Sequence, residues 1–133
     1  MSALHDLVGL TVLVVHDDLD IVQILASFLR TCGATVLAAV TVGGALAHID
    51  EARRLDAVVA DIAMPGINAV ELARKLRRNP LRNGLPIIGL TGHYAEHPSR
   101  QAFDALVRKP VDLDDLASTI VLLTRGPSGV NER

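Results

Sequence analysis

The stretch Ala57-Val58-Val59-Ala60-Asp61 indicates the fold of this chain most directly. It is a short, uninterrupted apolar run that ends in a carboxylate, and Met64-Pro65-Gly66 breaks the pattern shortly after it. Such a run predicts a strand that is buried on both faces of a parallel sheet. Asp61 would then lie at the carboxyl edge of the sheet, where open α/β folds bind their ligands.

Other apolar runs also end in polar residues that can carry chemistry, namely Asp17, Thr91 and Lys109. Each has a simpler interpretation when it is taken alone. Asp17 or its neighbour Asp18 could cap a helix, and Lys109 could be a surface charge with a buried stem. A hydrophobic core does not require polar groups at four strand ends, so their coincidence favours a functional site.

Length and composition restrict the class of protein. The chain has 133 residues, which is enough for one domain with a real core, and it is 50% hydrophobic but only 2% aromatic. A core of Val, Leu, Ile and Ala favours parallel strands that are covered by helices on both faces. The net charge of −2 gives no electrostatic footprint for nucleic acid. Cys32 is the single cysteine, which excludes a disulfide framework and favours a reducing, cytoplasmic location.

Strand-like and helix-like segments alternate along the chain, with neither a signal peptide nor a membrane-spanning stretch among them. This rhythm, with right-handed crossovers, predicts an α/β fold with a doubly wound parallel sheet. The predicted strands are Thr11–Val15, Ala34–Val40, Ala57–Ala60, Pro86–Leu90 and Ala105–Arg108.

Three helices follow the first three strands. The first is capped by Asp18 or Asp20 and ends at Gly33, and its predicted buried stripe is Ile21, Ile24, Leu25, Phe28 and Leu29. The second is capped by Thr41 and carries Ala45, Leu46 and Ile49. The third buries Ala69, Leu72, Ala73 and Leu76 and stops before Asn79-Pro80.

The C-terminal part is predicted to hold a helix over Pro98–Asp104 and a better marked final helix. Asp112 caps the final helix, Val111 and Leu116 form a hydrophobic staple, and Leu116, Ile120 and Leu123 form the buried face. Gly126-Pro127 should end it. We therefore expect one domain over residues 1–125 and a flexible tail over residues 126–133.

Four motifs in this order resemble the receiver domain of two-component response regulators: Val12-Leu13-Val14-Val15-His16-Asp17-Asp18, Asp61-x-x-Met64-Pro65-Gly66, Leu90-Thr91-Gly92 and Arg108-Lys109-Pro110. The resemblance extends over about residues 10–124. It implies a single flavodoxin-like domain with a five-stranded parallel sheet in the order 2-1-3-4-5. It also implies a signalling protein rather than an enzyme.

The resemblance also implies the chemistry. Asp61 would be the phosphoacceptor that takes a phosphoryl group from a histidine kinase or a phosphotransfer protein. Mg²⁺ or Mn²⁺ would be held by Asp17, Asp61 and the backbone carbonyl of Ala63, with either His16 or Asp18 as a candidate further ligand. Lys109 and Thr91 would contact the phosphoryl oxygens. The Lys109-Pro110 bond would be cis, as it commonly is in the family. Output would go through a downstream protein partner, without direct nucleic-acid binding and without membrane insertion.

Three departures from the family pattern stand out. His16 occupies a position that is normally acidic, which predicts weaker cation binding unless Asp18 supplies the missing charge. Leu106 occupies the position of the usual aromatic switch residue, which predicts altered or damped signalling. The segment between Thr91 and Lys109 is short, which predicts a short or shifted fourth helix. Two residues in that segment, His93 and His97, could be read as a metal pair, but we interpret them as exposed polar residues because no third ligand is evident.

These departures keep a second interpretation open. The chain could be a degenerate receiver that retains the fold as a protein-interaction module and does not need phosphorylation. Asp17, Asp61, Thr91 and Lys109 favour the phosphoacceptor, whereas His16 and Leu106 favour the alternative.

Overall fold

One parallel sheet of five strands organises the chain, in the order β2-β1-β3-β4-β5. The computed structural model describes residues 6–62, 68–92 and 102–131, with side chains up to Gly126. The strands are β1 (Thr11–Val15), β2 (Thr35–Ala39), β3 (Ala57–Asp61), β4 (Ile87–Thr91) and β5 (Ala105–Arg108). The predicted α/β fold and strand order are confirmed.

Helices cover both faces of this sheet. They are α1 (Leu19–Thr31), α2 (Val42–Glu51), α3 (Ala69–Arg78) and α4 (Leu113–Asn131). One core cluster joins the sheet to α1 and α4 through residues such as Leu29 and Leu116. The other joins it to α2 and α3 through residues such as Ile49 and Leu72. The doubly wound arrangement is therefore built from aliphatic side chains on either side of a sheet whose central strands, β1, β3 and β4, are buried on both faces.

The strand register brings the predicted site residues to one edge. Val15 pairs with Ala60, so the residues after β1 lie beside the end of β3. Asp61 pairs with Leu90, and Thr91 pairs with Arg108, so the ends of β4 and β5 lie at the same edge. Because all these strands are parallel, their carboxyl ends open towards a common crevice.

The predicted helix starts are confirmed by side-chain caps. The Asp18 carboxylate accepts a hydrogen bond of 2.9 Å from the backbone N–H of Asp20 at the start of α1. Thr41 caps α2 by accepting from the Gly44 N–H at 2.9 Å. Asp112 caps α4 by accepting from the N–H of Asp115 at 3.1 Å. Each such cap stabilises its helix by about 1 kcal/mol.

The predicted buried face of α1 was wrong in part. Ile21 and Ile24 are 37% and 61% exposed, whereas the residues that face the sheet are Val22, Leu25, Ala26 and Leu29. This helix is apolar around much of its circumference, so hydrophobic spacing did not define a single inward face. Packing against the sheet sets the rotation of the helix, and Val22 and Ala26 face inward as a result.

The C-terminal part of the chain agrees only in part with the predicted helices. Gly126 breaks α4 with φ 75° and ψ 172°, at the position where the helix was expected to end, but helical backbone resumes beyond it up to Asn131. The domain boundary and the flexible tail stay predictions. The helix predicted over Pro98–Asp104 lies mainly outside the described residues, and Phe103 and Asp104 form a bend before β5.

Within the described ranges, no helix combines the length and the apolar character that a bilayer crossing requires.

Candidate functional site

Asp61 is the buried centre of the site. It ends β3 and is only 1% exposed. Lys109, which follows β5, reaches across β4 so that its Nζ forms an ion pair with Asp61 Oδ2. A carboxylate in a buried position needs such a partner, because an unpaired charge there would be strongly destabilising. The structure thus brings together the predicted acceptor and the predicted lysine.

The backbone around Lys109 is fixed on both sides of the residue. Its N–H donates to the backbone carbonyl of Thr91 at 2.8 Å, which ties the end of β5 to the end of β4. The following peptide bond, Lys109-Pro110, is cis, as the resemblance implied. Thr91 itself is 1% exposed at the end of β4. The predicted hydroxyl donor therefore lies at the same edge as Asp61.

His16 is in direct contact with Asp61. Its side chain is buried, and its Nε2 lies 3.0 Å from Asp61 Oδ2. The other ring nitrogen, Nδ1, accepts a hydrogen bond of 3.0 Å from the backbone N–H of Asp18. Since Nδ1 accepts in this network, the ring proton is assigned to Nε2, which donates it to Asp61. Asp61 Oδ2 therefore contacts two nitrogen donors.

Asp17 lies on the other side of the imidazole ring. Its Oδ1 is 3.3 Å from His16 Nδ1, and its side chain is partly exposed. The ring of His16 consequently stands between the Asp17 and Asp61 carboxylates, with one nitrogen near each of them.

Asp18 does not join this cluster. It is exposed, and its carboxylate accepts from the N–H groups of Asp20 and Ile21 as the cap of α1. Its backbone, rather than its side chain, contributes to the site by orienting His16.

Leu106 packs inward beneath the site. It is partly buried against the core on the α2 and α3 side of the sheet, and it pairs with Gly89 on β4. A Cβ atom placed on Gly89 would lie 2.7 Å from Ile62 Cδ1 and 2.9 Å from Leu106 Cδ2. Ile62 and Leu106 therefore fill the space over Gly89. Because Ile62 directly follows Asp61 in the chain, Leu106 is connected to the site through apolar packing.

An apolar wall borders the site, which sequence reasoning missed. His16, Asp61 and Lys109 line a cavity of about 350 Å³ together with Ile21, Ile24, Leu25, Leu90, Pro110, Val111 and Leu113. The exposed isoleucines of α1 belong to this wall instead of the core. A signal for it existed in the excess of apolar residues on α1, but only the rotation of the helix shows where they lie.

The donor atoms around Asp61 do not suit Mg²⁺ in this arrangement. Mg²⁺ prefers oxygen ligands in near-octahedral geometry, whereas the ring of His16 stands between the two carboxylates that would have to share the ion. Among the described residues, no cluster of three or more His, Cys, Asp or Glu side chains has the geometry of a metal site. The Ala63 carbonyl, the Met64-Pro65-Gly66 motif and the pair His93 and His97 lie outside the described residues.

Comparisons with known proteins show which family this sequence and fold match. A family model described as the response regulator receiver domain matches residues 12–121. The chain is 33% identical over 127 residues to the phosphate regulon transcriptional regulatory protein PhoB of Pseudomonas aeruginosa, a match that covers 91% of this chain but 55% of that relative. Among solved structures, the chemotaxis response regulator CheY4 of Vibrio cholerae has a TM-score of 0.78 at 25% identity, covering 86% of this chain and 98% of the other.

A second solved structure carries a bound cation. The response regulator TrrA of Thermotoga maritima, in complex with Mg(2+)-BeF, has a TM-score of 0.75 at 30% identity, and the match covers 86% of this chain and 98% of that one.

Proposed function

Because this chain belongs to the receiver domain family of response regulators, we propose that it is the phosphoacceptor of a two-component phosphorelay, with Asp61 as the acceptor residue. Receiver domains are signalling modules and not enzymes in the usual sense. The observation that carries the proposal is the convergence of Asp61, Lys109 and Thr91 at the carboxyl edge of the sheet, where Lys109 Nζ pairs with the buried Asp61 carboxylate. A core carboxylate without a function does not need to lie at this edge.

The proposed reaction is a transfer between two side chains. A carboxylate oxygen of Asp61 attacks the phosphorus of a phosphohistidine on the donor protein, and a P–O bond forms as the P–N bond breaks. The electron pair stays on the donor imidazole, which takes up a proton. The product is an aspartyl phosphate on this chain.

The residues around Asp61 have separate roles in this proposal. Lys109 contributes a positive charge next to the phosphoryl oxygens, where negative charge is concentrated during transfer. Thr91 contributes a hydroxyl donor from the neighbouring strand. The assignment of Mg²⁺ or Mn²⁺ to Asp17, Asp61 and the Ala63 carbonyl stays a prediction, and a cation that reaches these oxygens has to displace His16.

Receiver domains interact with histidine kinases and with downstream effectors. For this chain we propose that the donor, a histidine kinase or a phosphotransfer protein, approaches along the apolar wall beside Asp61. Ile21, Ile24 and Leu113 border the same cavity as Asp61, which places them beside the path of a donor that delivers a phosphoryl group there. A downstream protein partner and a cytoplasmic location are part of the same proposal.

The contact between His16 and Asp61 favours a second candidate function. A carboxylate that is already bound by two nitrogen donors is less available as a nucleophile, and Leu106 lacks the aromatic ring of the usual switch. The alternative is a receiver fold that acts as an interaction module without phosphorylation.

Intact mass spectrometry distinguishes the two functions. The chain is incubated with acetyl phosphate in excess Mg²⁺ and analysed at neutral pH, where acyl phosphates survive briefly. We expect one added phosphoryl group on the wild type, none on Asp61→Asn, and the wild-type result for Asp50→Asn, which changes an exposed aspartate on α2. A folded wild-type chain without an adduct, or an adduct that persists in Asp61→Asn, would contradict the phosphoacceptor proposal.

A further inference from the structure

The position of the His16 ring bears on how a divalent cation could bind beside Asp61. The inference rests on the proposed function, in which Asp61 is the functional carboxylate. We propose that the imidazole of His16 occupies the place between Asp17 and Asp61 where a divalent cation would bind, so that a cation binds only by displacing the ring. The ring has Nδ1 3.3 Å from Asp17 Oδ1 and Nε2 3.0 Å from Asp61 Oδ2. It therefore bridges the two oxygens that a shared ion would bridge.

The donors already present on Asp61 replace part of what a cation supplies. Lys109 brings a full positive charge to Oδ2, and His16 brings an N–H dipole to the same atom. A cation would add more charge, but it would have to replace the hydrogen bond that His16 donates to the charged Asp61 carboxylate. His16 thus weakens cation binding in two ways. It stands where an acidic ligand would otherwise be, and its ring fills the space that the cation would occupy.

The ring is held firmly in its bridging position. The backbone N–H of His16 donates to the backbone carbonyl of Ala39 on β2 at 3.1 Å, and the side chain is only 9% exposed. Its Nδ1 accepts from the N–H of Asp18, whose own position is fixed because its carboxylate caps α1. Displacing the ring would break its hydrogen bonds with Asp61 and with the backbone N–H of Asp18.

Nitrogen and oxygen donors also differ in the metals that they favour. Imidazole nitrogen suits transition metals, whereas Mg²⁺ prefers carboxylate, carbonyl and water oxygens. His16 is consequently not a substitute ligand for Mg²⁺. If the ring rotated away, the side-chain ligands left for a cation in the described part of the site would be the carboxylates of Asp17 and Asp61.

Two substitutions separate occupation from the mere loss of a ligand. His16→Ala removes the ring without adding an acid, and His16→Asp removes the ring and adds a carboxylate. If the ring occupies the cation site, both variants bind Mg²⁺ more tightly than the wild type. If His16 only lacks the right chemistry, His16→Ala leaves the affinity unchanged.

The test is a titration with Mg²⁺ alone. The amide chemical shifts of the ¹⁵N-labelled chain around Asp17 and Ile62 report how much cation is bound. We expect affinity to rise about threefold in His16→Ala and about tenfold in His16→Asp, a tenfold change corresponding to about 1.4 kcal/mol. His48→Asp, which makes the same change of side chain on α2, should match the wild type. The dispersion of the amide spectrum reports whether each variant is folded, and His16→Val, which also supplies no ligand, replaces His16→Ala if the latter is not.

Two outcomes would overturn the inference: wild-type affinity equal to that of His16→Asp, or no gain when the ring is removed. Because no phosphoryl donor is present, these outcomes are independent of whether Asp61 accepts a phosphoryl group. A wild type that is phosphorylated but binds Mg²⁺ as tightly as His16→Asp would leave the proposed function in place and remove only this inference.

Discussion

The ion pair between Lys109 and Asp61 should be measurable as a coupling free energy. Lys109→Met removes the ammonium and leaves the Asp61 carboxylate buried with one fewer partner, so we expect it to lower the free energy of unfolding. Asp61→Asn removes the buried charge, so the same lysine substitution should cost less in that background. The difference between the two costs is the coupling between the residues.

The magnitude follows from burial and screening. Two unit charges about 4 Å apart attract by about 4 kcal/mol at an effective dielectric constant near 20. The Asp61 side chain is almost fully buried, but the Lys109 side chain is 39% exposed, so solvent screens a substantial part of this attraction. We therefore expect a coupling of about 1 to 2 kcal/mol, well above the value for a surface pair.

Urea unfolding followed by far-ultraviolet circular dichroism measures the four free energies of the cycle, since the chain has no Trp to report by fluorescence. Arg74 and Glu71 on α3 provide a matched control, because they form an exposed pair at 3.9 Å that should couple by only about 0.3 kcal/mol. A coupling between Lys109 and Asp61 no larger than that of the control pair would refute the reasoning.

Three further predictions test the packing around the site and the core. Gly89→Ala should lower the free energy of unfolding by about 1 kcal/mol in urea, because its Cβ would displace Ile62 and Leu106; an unchanged midpoint would contradict that crowding. Asp104→Ala should lower the free energy of unfolding by about 1 to 2 kcal/mol in the same assay, because Asp104 Oδ2 accepts from the Ile87 N–H at 2.7 Å and from Arg77 at 2.6 Å. The partial exposure of the Arg77–Asp104 pair keeps this value low. A loss of stability no larger than that of the exposed Asp50→Ala would contradict the prediction. Burial raises the pKa of the Cys32 thiol, and the negative charges of Asp114 and Asp6 raise it further. A thiol reagent should therefore react with native Cys32 only as fast as local unfolding of the chain exposes it. Because the unfolded thiol loses its proton first, the contribution of Cys32 to stability should be complete below a pH of about 8.5 and decline above it; stability that rises with pH in that range would contradict the burial of this group.

The sheet and its helix starts could be predicted from local patterns. Each strand is a short aliphatic run, and each run has its own boundary signal, such as the Asp61 end of β3. Asp18, Thr41 and Asp112 could be identified as caps because a capping side chain bonds to backbone only two or three residues away. Information of this kind is contained within a few consecutive residues.

The features that could not be predicted depend on contacts between distant segments. His16 and Asp61 are 45 residues apart, and their hydrogen bond depends on β1 and β3 being neighbours in register. The sequence marked His16 as unusual but did not reveal that its ring would lie between two carboxylates. Ile21 and Ile24 were assigned to the core because their hydrophobicity was evident, whereas the rotation of α1 that exposes them depends on tertiary packing.

Mapping the phosphoryl group to a residue tests the central claim most directly. After reaction with acetyl phosphate, borohydride reduces an aspartyl phosphate to homoserine, and peptide mass spectrometry locates the modified position. We expect homoserine at position 61 in the wild type and in Asp50→Asn. Homoserine at another aspartate, or a phosphoryl group that resists borohydride because it is attached to His16, would contradict it.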